Sequence, residues 1–218
     1  MQKTISLLFF ILNALALVVA FLFSLIRKNK ELRPIQFYLF FTMLFFFLAL
    51  LKAQSATEGI DFYKLYNIGI LVDLSTLYYY FHTLLTRRSQ RRWLLICLIV
   101  FVCLALYFWL GPMHAFARFW GTLYGLENIF VTIPCFFYFY QVFNSDVITD
   151  FKTNPHFFVV CGLLFFYATT FPFYISYNIM YDVTPEILKN LVIVNNLLSL
   201  ILYSTIIKAY LCPRPALK

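Results

Sequence analysis

The sequence predicts an all-α membrane protein, a single bundle of seven transmembrane helices occupying residues 1–218 and leaving no soluble domain. Three observations predict it. Of the 218 residues, 63% are hydrophobic and only 12% are charged, with a mean hydropathy of +0.83, whereas a soluble domain carries about a quarter of its residues charged. The apolar residues come in runs long enough to cross a hydrocarbon core about 30 Å thick, not at the spacing of half-buried helices or strands. Basic residues cap those runs on alternate sides.

The first run, 5–26, follows Lys3 and could open a signal peptide. It is too long for one and ends in Arg27-Lys28-Asn29-Lys30, a stop-transfer flank, so an uncleaved helix is expected. The second, 34–51, opens at Pro34, and the third, 65–85, carries an acid in its middle. The fourth, 93–111, closes on Gly111-Pro112. The fifth, 119–143, and the sixth, 155–181, contain Pro134 and Pro172, which should kink them while neighbouring helices take up the freed carbonyls. Asn154-Pro155 gives the sixth an N-cap and first-turn proline, and Thr184-Pro185 does the same ahead of the seventh, 191–211. The runs lack period-two alternation and are twice as long as a tilted barrel strand. Loops of about 7 to 13 residues should make sequential helices antiparallel neighbours.

Charge distribution sets the orientation. Arg27, Lys28, Lys30, Arg33, Arg87, Arg88, Arg91, Arg92, Lys152, Lys208, Arg214 and Lys218 fall on one side, and Lys3, Lys52, Lys64, Arg118 and Lys189 on the other. Twelve against five places the amino terminus outside and the carboxyl terminus in the cytoplasm, in a multi-pass protein of the inner (plasma) membrane. The net charge of +8 is thus a topology signal, not a nucleic-acid footprint. The cluster Arg87, Arg88, Arg91 and Arg92 reads either as attraction to anionic lipid or as a dock for a cytoplasmic partner. Cys97, Cys103, Cys135, Cys161 and Cys212 form no CxxC pair and read as apolar fillers. The aromatic blocks, such as Tyr78-Tyr79-Tyr80, read as belt and packing residues.

Charged groups at membrane depth are costly and point to function. Asp73 and Glu127 each lie about nine residues below the outer ends of the third and fifth runs, about 13 Å deep at 1.5 Å per residue. Asn13, Tyr124, Thr170, Tyr174, Asn195 and Asn196 reach a similar level, giving a candidate ligand or proton site in the outer half on Asp73, Glu127, Asn13, Tyr124, Tyr174, Asn195 and Asn196. Helical spacing puts Gly69, Asp73, Thr76 and Tyr80 on one face, Trp120, Tyr124, Glu127 and Tyr138 on another, and Asn196, Ser199 and Tyr203 on a third. Helices two and four, with little polar beyond Thr42, should face lipid. No basic residue reaches this depth; Arg118 is nine residues from Glu127, too far for an ion pair. The acids could sense protons, bind a cation, or serve as interhelical glue.

Catalysis has little support. His82, His114 and His156 lie near opposite membrane faces without HxxxH or HExxH, so neither a metal site nor any cofactor is expected. No Gly-x-Ser elbow accompanies a buried histidine. Lys208 is close to the end of its helix, where it suits a snorkelling anchor better than a retinal Schiff base. The layout, with Asn154-Pro155-His156-Phe157-Phe158-Val159-Val160-Cys161-Gly162 opening helix six and Asn195-Asn196-Leu197-Leu198 in helix seven, resembles seven-helix bacterial membrane proteins similar to the membrane input regions of sensor kinases. No kinase or dimerisation helix follows residue 212, so the resemblance implies a non-enzymatic sensor that signals to a separate cytoplasmic protein. A small proton- or cation-coupled transporter and a structural membrane subunit are the alternatives, with the lack of an internal repeat counting against the transporter.

Overall fold

A computed structural model describes residues 2–27, 29–54, 60–110, 121–144, 151, 153–183 and 185–213. The described residues form seven helices: α1 (Gln2–Arg27), α2 (Arg33–Gln54), α3 (Ile60–Leu84), α4 (Arg88–Leu110), α5 (Gly121–Phe143), α6 (Pro155–Val183) and α7 (Pro185–Leu211). Five of them contain stretches long and apolar enough to cross a membrane: Leu7–Arg27, Arg88–Tyr107, Leu123–Phe143, Pro155–Tyr174 and Asn190–Leu211. This is the architecture of a helical membrane protein. Lys28, Gly111, Pro112, His114, Arg118, Trp120, Lys152, Thr184, Arg214 and Lys218 lie outside the described residues.

Several helices outrun the apolar stretches that predict them. α3 starts at Ile60, α4 at Arg88 and α7 at Pro185, five to six residues before the apolar runs begin. Hydropathy stops at the first charge, but a helix continues through charged residues until a breaker ends it. The α3–α4 connection therefore shrinks to three residues, 85–87, shorter than the 7 to 13 expected. Arg88, Arg91 and Arg92 consequently belong to the opening of α4 instead of a loop. The Arg91 Nε donates to the Leu85 carbonyl at 2.6 Å, satisfying a carbonyl beyond the end of α3.

Neighbour contacts trace a closed circuit, α1 to α2, α2 to α3, α3 to α5, α5 to α6, α6 to α7 and α7 back to α1. α4 packs outside it, against α3 and α5. It buries one stripe, Leu94, Phe101 and Ala105, and leaves Trp93, Leu95, Ile96, Ile99, Val100 and Tyr107 exposed, the lipid-facing arrangement expected for this helix. α2 is different. It completes the ring with Ile35, Tyr38 and Leu39 buried while Phe37, Phe40, Leu44 and Phe47 are exposed, so the lipid-facing expectation fits one of its faces and not the other. Its nearly uniform Phe/Leu surface hides which side points inward, and only Tyr38 and Thr42 mark it.

Much of the buried interior is tyrosine. Tyr38, Tyr78, Tyr80, Tyr138, Tyr167, Tyr203 and Tyr210 are all buried, whereas Tyr79, Tyr107 and Tyr140 are exposed. The belt reading therefore fits only part of this block: Tyr78 and Tyr80 are buried and Tyr79 is exposed, and at 100° per residue the two buried rings leave α3 on nearly opposite sides, Tyr78 toward α5 and Tyr80 toward α6. Buried tyrosines need partners for their hydroxyls, and several find them on other helices. Tyr78 donates to the Phe130 carbonyl at 2.8 Å, and Tyr210 donates to the Leu32 carbonyl at 3.1 Å. Phe130 is four residues before Pro134, so its carbonyl is the one the proline leaves without an amide. α5 and α6 both run unbroken through their prolines.

α6 and α7 approach closely at Gly162. A Cβ there would stand 3.1 Å from Thr205 Cβ and 3.3 Å from a Leu202 methyl, and would overlap Thr205 Oγ1. Only glycine allows this contact.

Candidate functional site

The acids of α3 and α5 meet inside the ring. Because α3 starts at Ile60, Asp73 is about 20 Å from its amino-terminal end and about 16 Å from its carboxyl-terminal end, at 1.5 Å per residue. It therefore sits near the middle of its helix. Glu127 is 3% exposed and lies within electrostatic reach of Asp73. Thr42 Oγ1 shares its single proton between the Tyr38 carbonyl at 2.9 Å and Asp73 Oδ1 at 3.3 Å. Asp73 is half-buried.

Three tyrosines stand beside the acids. The hydroxyls of Tyr38 on α2 and Tyr167 on α6 pair across the ring, each within reach of both acids. Tyr203 on α7 is within reach of Asp73 and of Tyr38. The Tyr38–Tyr167 pairing joins helices that are not neighbours in the ring, which places it in the lumen. Among the described residues, no side chain or backbone amide donates a hydrogen bond to Glu127. Asn128, next in sequence, is engaged elsewhere: its Nδ2 donates to Thr170 Oγ1 at 3.1 Å, and Thr170 in turn donates to the Phe166 carbonyl at 2.8 Å.

The remaining predicted site residues form a separate layer. Asn13 Nδ2 donates to Asn196 Oδ1 at 3.2 Å, linking α1 to α7. The other halves of both amides, Asn13 Oδ1 and Asn196 Nδ2, are buried without partners. Tyr174 donates to Asn195 Oδ1 at 3.2 Å and stacks on Tyr124 with ring centroids 5.0 Å apart. Tyr124 is one helical turn before Glu127, and Asn196 two turns before Tyr203. The seven predicted residues thus divide into a carboxyl layer and an amide–tyrosine layer.

Sequence reasoning missed Tyr38, Tyr167 and Asn128, and undervalued Thr42. Their signal was slight: a lone tyrosine or threonine within a phenylalanine–leucine run, whose inward side only the ring closure decides.

A second polar network joins the helix ends that carry the basic clusters. Asn154 Oδ1 accepts the His156 amide at 3.0 Å as an N-cap. The His156 ring lies 3.1 Å from the Tyr80 hydroxyl through Nδ1 and 3.4 Å from Glu31 Oε2 through Nε2. Thr86 bonds Gln141 Oε1 through both its amide, at 3.0 Å, and its hydroxyl, at 3.1 Å. Arg87 stacks over the Tyr140 ring at 5.4 Å. Arg87, Arg88 and Arg92 are exposed, whereas Arg91 is turned back onto α3.

The lumen's chemistry follows from these groups. Two carboxyls in a water-poor space repel when both are charged, and a cation between them removes the repulsion. The tyrosine hydroxyl oxygens beside the acids add further acceptors for a cation. Among the described residues no three His, Cys, Asp or Glu side chains converge as a metal centre would require. Compared with protein-family models, curated proteins and solved structures, the chain has no match.

Proposed function

We propose that this protein is a seven-span receptor-like module of the inner (plasma) membrane, amino terminus outside and carboxyl terminus in the cytoplasm, which binds a cation inside its helix ring. Glu127 and Asp73 supply the charge, Tyr38, Tyr167 and Tyr203 the walls, and Thr42 orients Asp73. One observation carries the reading: Glu127 is 3% exposed and receives no hydrogen bond among the described residues, while Asp73 lies opposite it. A carboxyl kept only as interhelical glue would hold a hydrogen-bond partner, as Asn128 does in Thr170.

A binding event in the lumen has a direct route to the opposite end of the bundle. Asp73 and Tyr80 share α3 two turns apart, and Tyr80 meets His156 and, through it, Glu31 in the α1–α2 turn. Arg87, Arg88 and Arg92 then offer an exposed basic face for a separate cytoplasmic partner or for anionic lipid. No enzymatic step is proposed.

The test has two parts. Cation-dependent thermal stabilisation of the purified protein, with choline, sodium and potassium as probes, should disappear in Asp73→Asn and Glu127→Gln. Reconstituted vesicles should show no net flux of the stabilising cation; flux that these substitutions abolish would replace the receptor reading with a transporter.

A further inference from the structure

A cleft of about 440 Å³ opens on the outer surface between α6 and α7, lined by Phe158, Leu197, Leu200, Ile201, Ser204, Thr205 and Lys208. Along α7 these residues form one face, at spacings of three and four. From Leu197 to Lys208 is about 16 Å at 1.5 Å per residue, close to the ~15 Å half-thickness of a hydrocarbon core. The walls are almost wholly apolar, and Leu197 and Ile201 are open to the surroundings.

One end differs. Lys208 stands three residues before the end of α7, exposed, with its Nζ 5.8 Å from the centre of the Phe158 ring. No described residue forms an ion pair with it. The two hydroxyls of the cleft are already committed as donors, Ser204 to the Leu200 carbonyl and Thr205 to the Leu202 carbonyl, each at 2.7 Å. Among the described residues of the cleft, Lys208 is therefore the one free donor and the one charge. The Gly162–Thr205 contact, one turn from Phe158 on α6, holds the two helices together beside the cleft.

We infer that this cleft seats one acyl chain of an anionic phospholipid, with the lipid phosphate on Lys208. The groove spans one leaflet, its walls match hydrocarbon, and its single cation stands at the head-group end, where an anionic head group gains most. A zwitterionic lipid carries its own cation beside the phosphate and gains less from a lone lysine. The inference needs only that α7 crosses the bilayer. It holds whichever side the carboxyl terminus faces and whether or not the lumen binds a cation.

Native mass spectrometry of protein released from vesicles of equal phosphatidylglycerol and phosphatidylcholine, with identical acyl chains, tests it. The wild type should retain one phosphatidylglycerol at least tenfold over phosphatidylcholine. Lys208→Gln should abolish that preference, Lys208→Arg should keep it, and Ser204→Trp, which fills the groove, should release both lipids. Equal retention of the two lipids by the wild type, or an unchanged preference in Lys208→Gln, would overturn the assignment. So would undiminished retention by Ser204→Trp.

Discussion

The Tyr78 hydroxyl donates a 2.8 Å hydrogen bond to the Phe130 carbonyl, the acceptor that Pro134 deprives of its helical amide. A side chain on α3 thereby completes the backbone of α5 within a turn of Glu127, and the two acid-bearing helices are fixed to each other beside the lumen. Tyr78→Phe should leave that carbonyl unsatisfied, costing about 1–3 kcal/mol. In a Pro134→Ala background the amide returns and the same substitution should cost under half as much. Unfolding of the four proteins in a double-mutant cycle checks this; equal costs in both backgrounds would separate the tyrosine from the proline.

The Gly162 contact predicts a second effect. Gly162→Ala introduces a methyl where Thr205 Oγ1 already lies, and overpacking of this kind costs about 1–3 kcal/mol. Thr205→Ala in the same chain should recover part of the loss, since the Thr205 Cβ remains 3.1 Å away. Thermal unfolding of the single and double variants measures it.

The Asn13–Asn196 pair leaves an acceptor and a donor unsatisfied. Asn13→Leu alone strands the rest of Asn196 and should destabilise by about 1 kcal/mol, whereas Leu at both positions should be near neutral, because burying polar groups without partners is what costs. Steady loss through both substitutions would mean that these amides serve something besides each other.

Orientation rests on the twelve-to-five division of basic residues. A reporter active only outside the cytoplasmic membrane, fused after Lys218, should stay silent, and the same reporter ahead of Gln2 should be active. The reverse pattern would invert the topology.

Much of the fold was legible because bilayer thickness demands long apolar runs, and composition alone reveals them. Pro155 opens α6 and Pro185 opens α7, as the first-turn prolines indicated. Helix ends within charged sequence were not legible: the starts of α3 and α4 follow backbone propensity, which hydropathy ignores. Asp73 and Glu127 stood out by cost alone. Tyr38 and Tyr167 did not, because a tyrosine in a lipid-facing belt and one in a lumen have the same neighbours in sequence. Only the circuit from α1 to α7 separates them, and no local pattern encodes that closure.

The central claim is that Glu127 and Asp73 bind a cation, and a thermal shift with matched probes tests it most directly. Choline and its uncharged carbon isostere, 3,3-dimethylbutan-1-ol, have the same shape and differ in charge. At a hundredfold excess over Kd, binding to the folded state alone stabilises by about 2.7 kcal/mol. Choline, sodium or potassium should raise the melting temperature of the wild type by several degrees and the isostere should not, while Glu127→Gln and Asp73→Asn fold but lose the shift. An unshifted wild type with every cation, or an equal shift in the Gln and Asn variants, would contradict the claim and leave the two acids as structural groups.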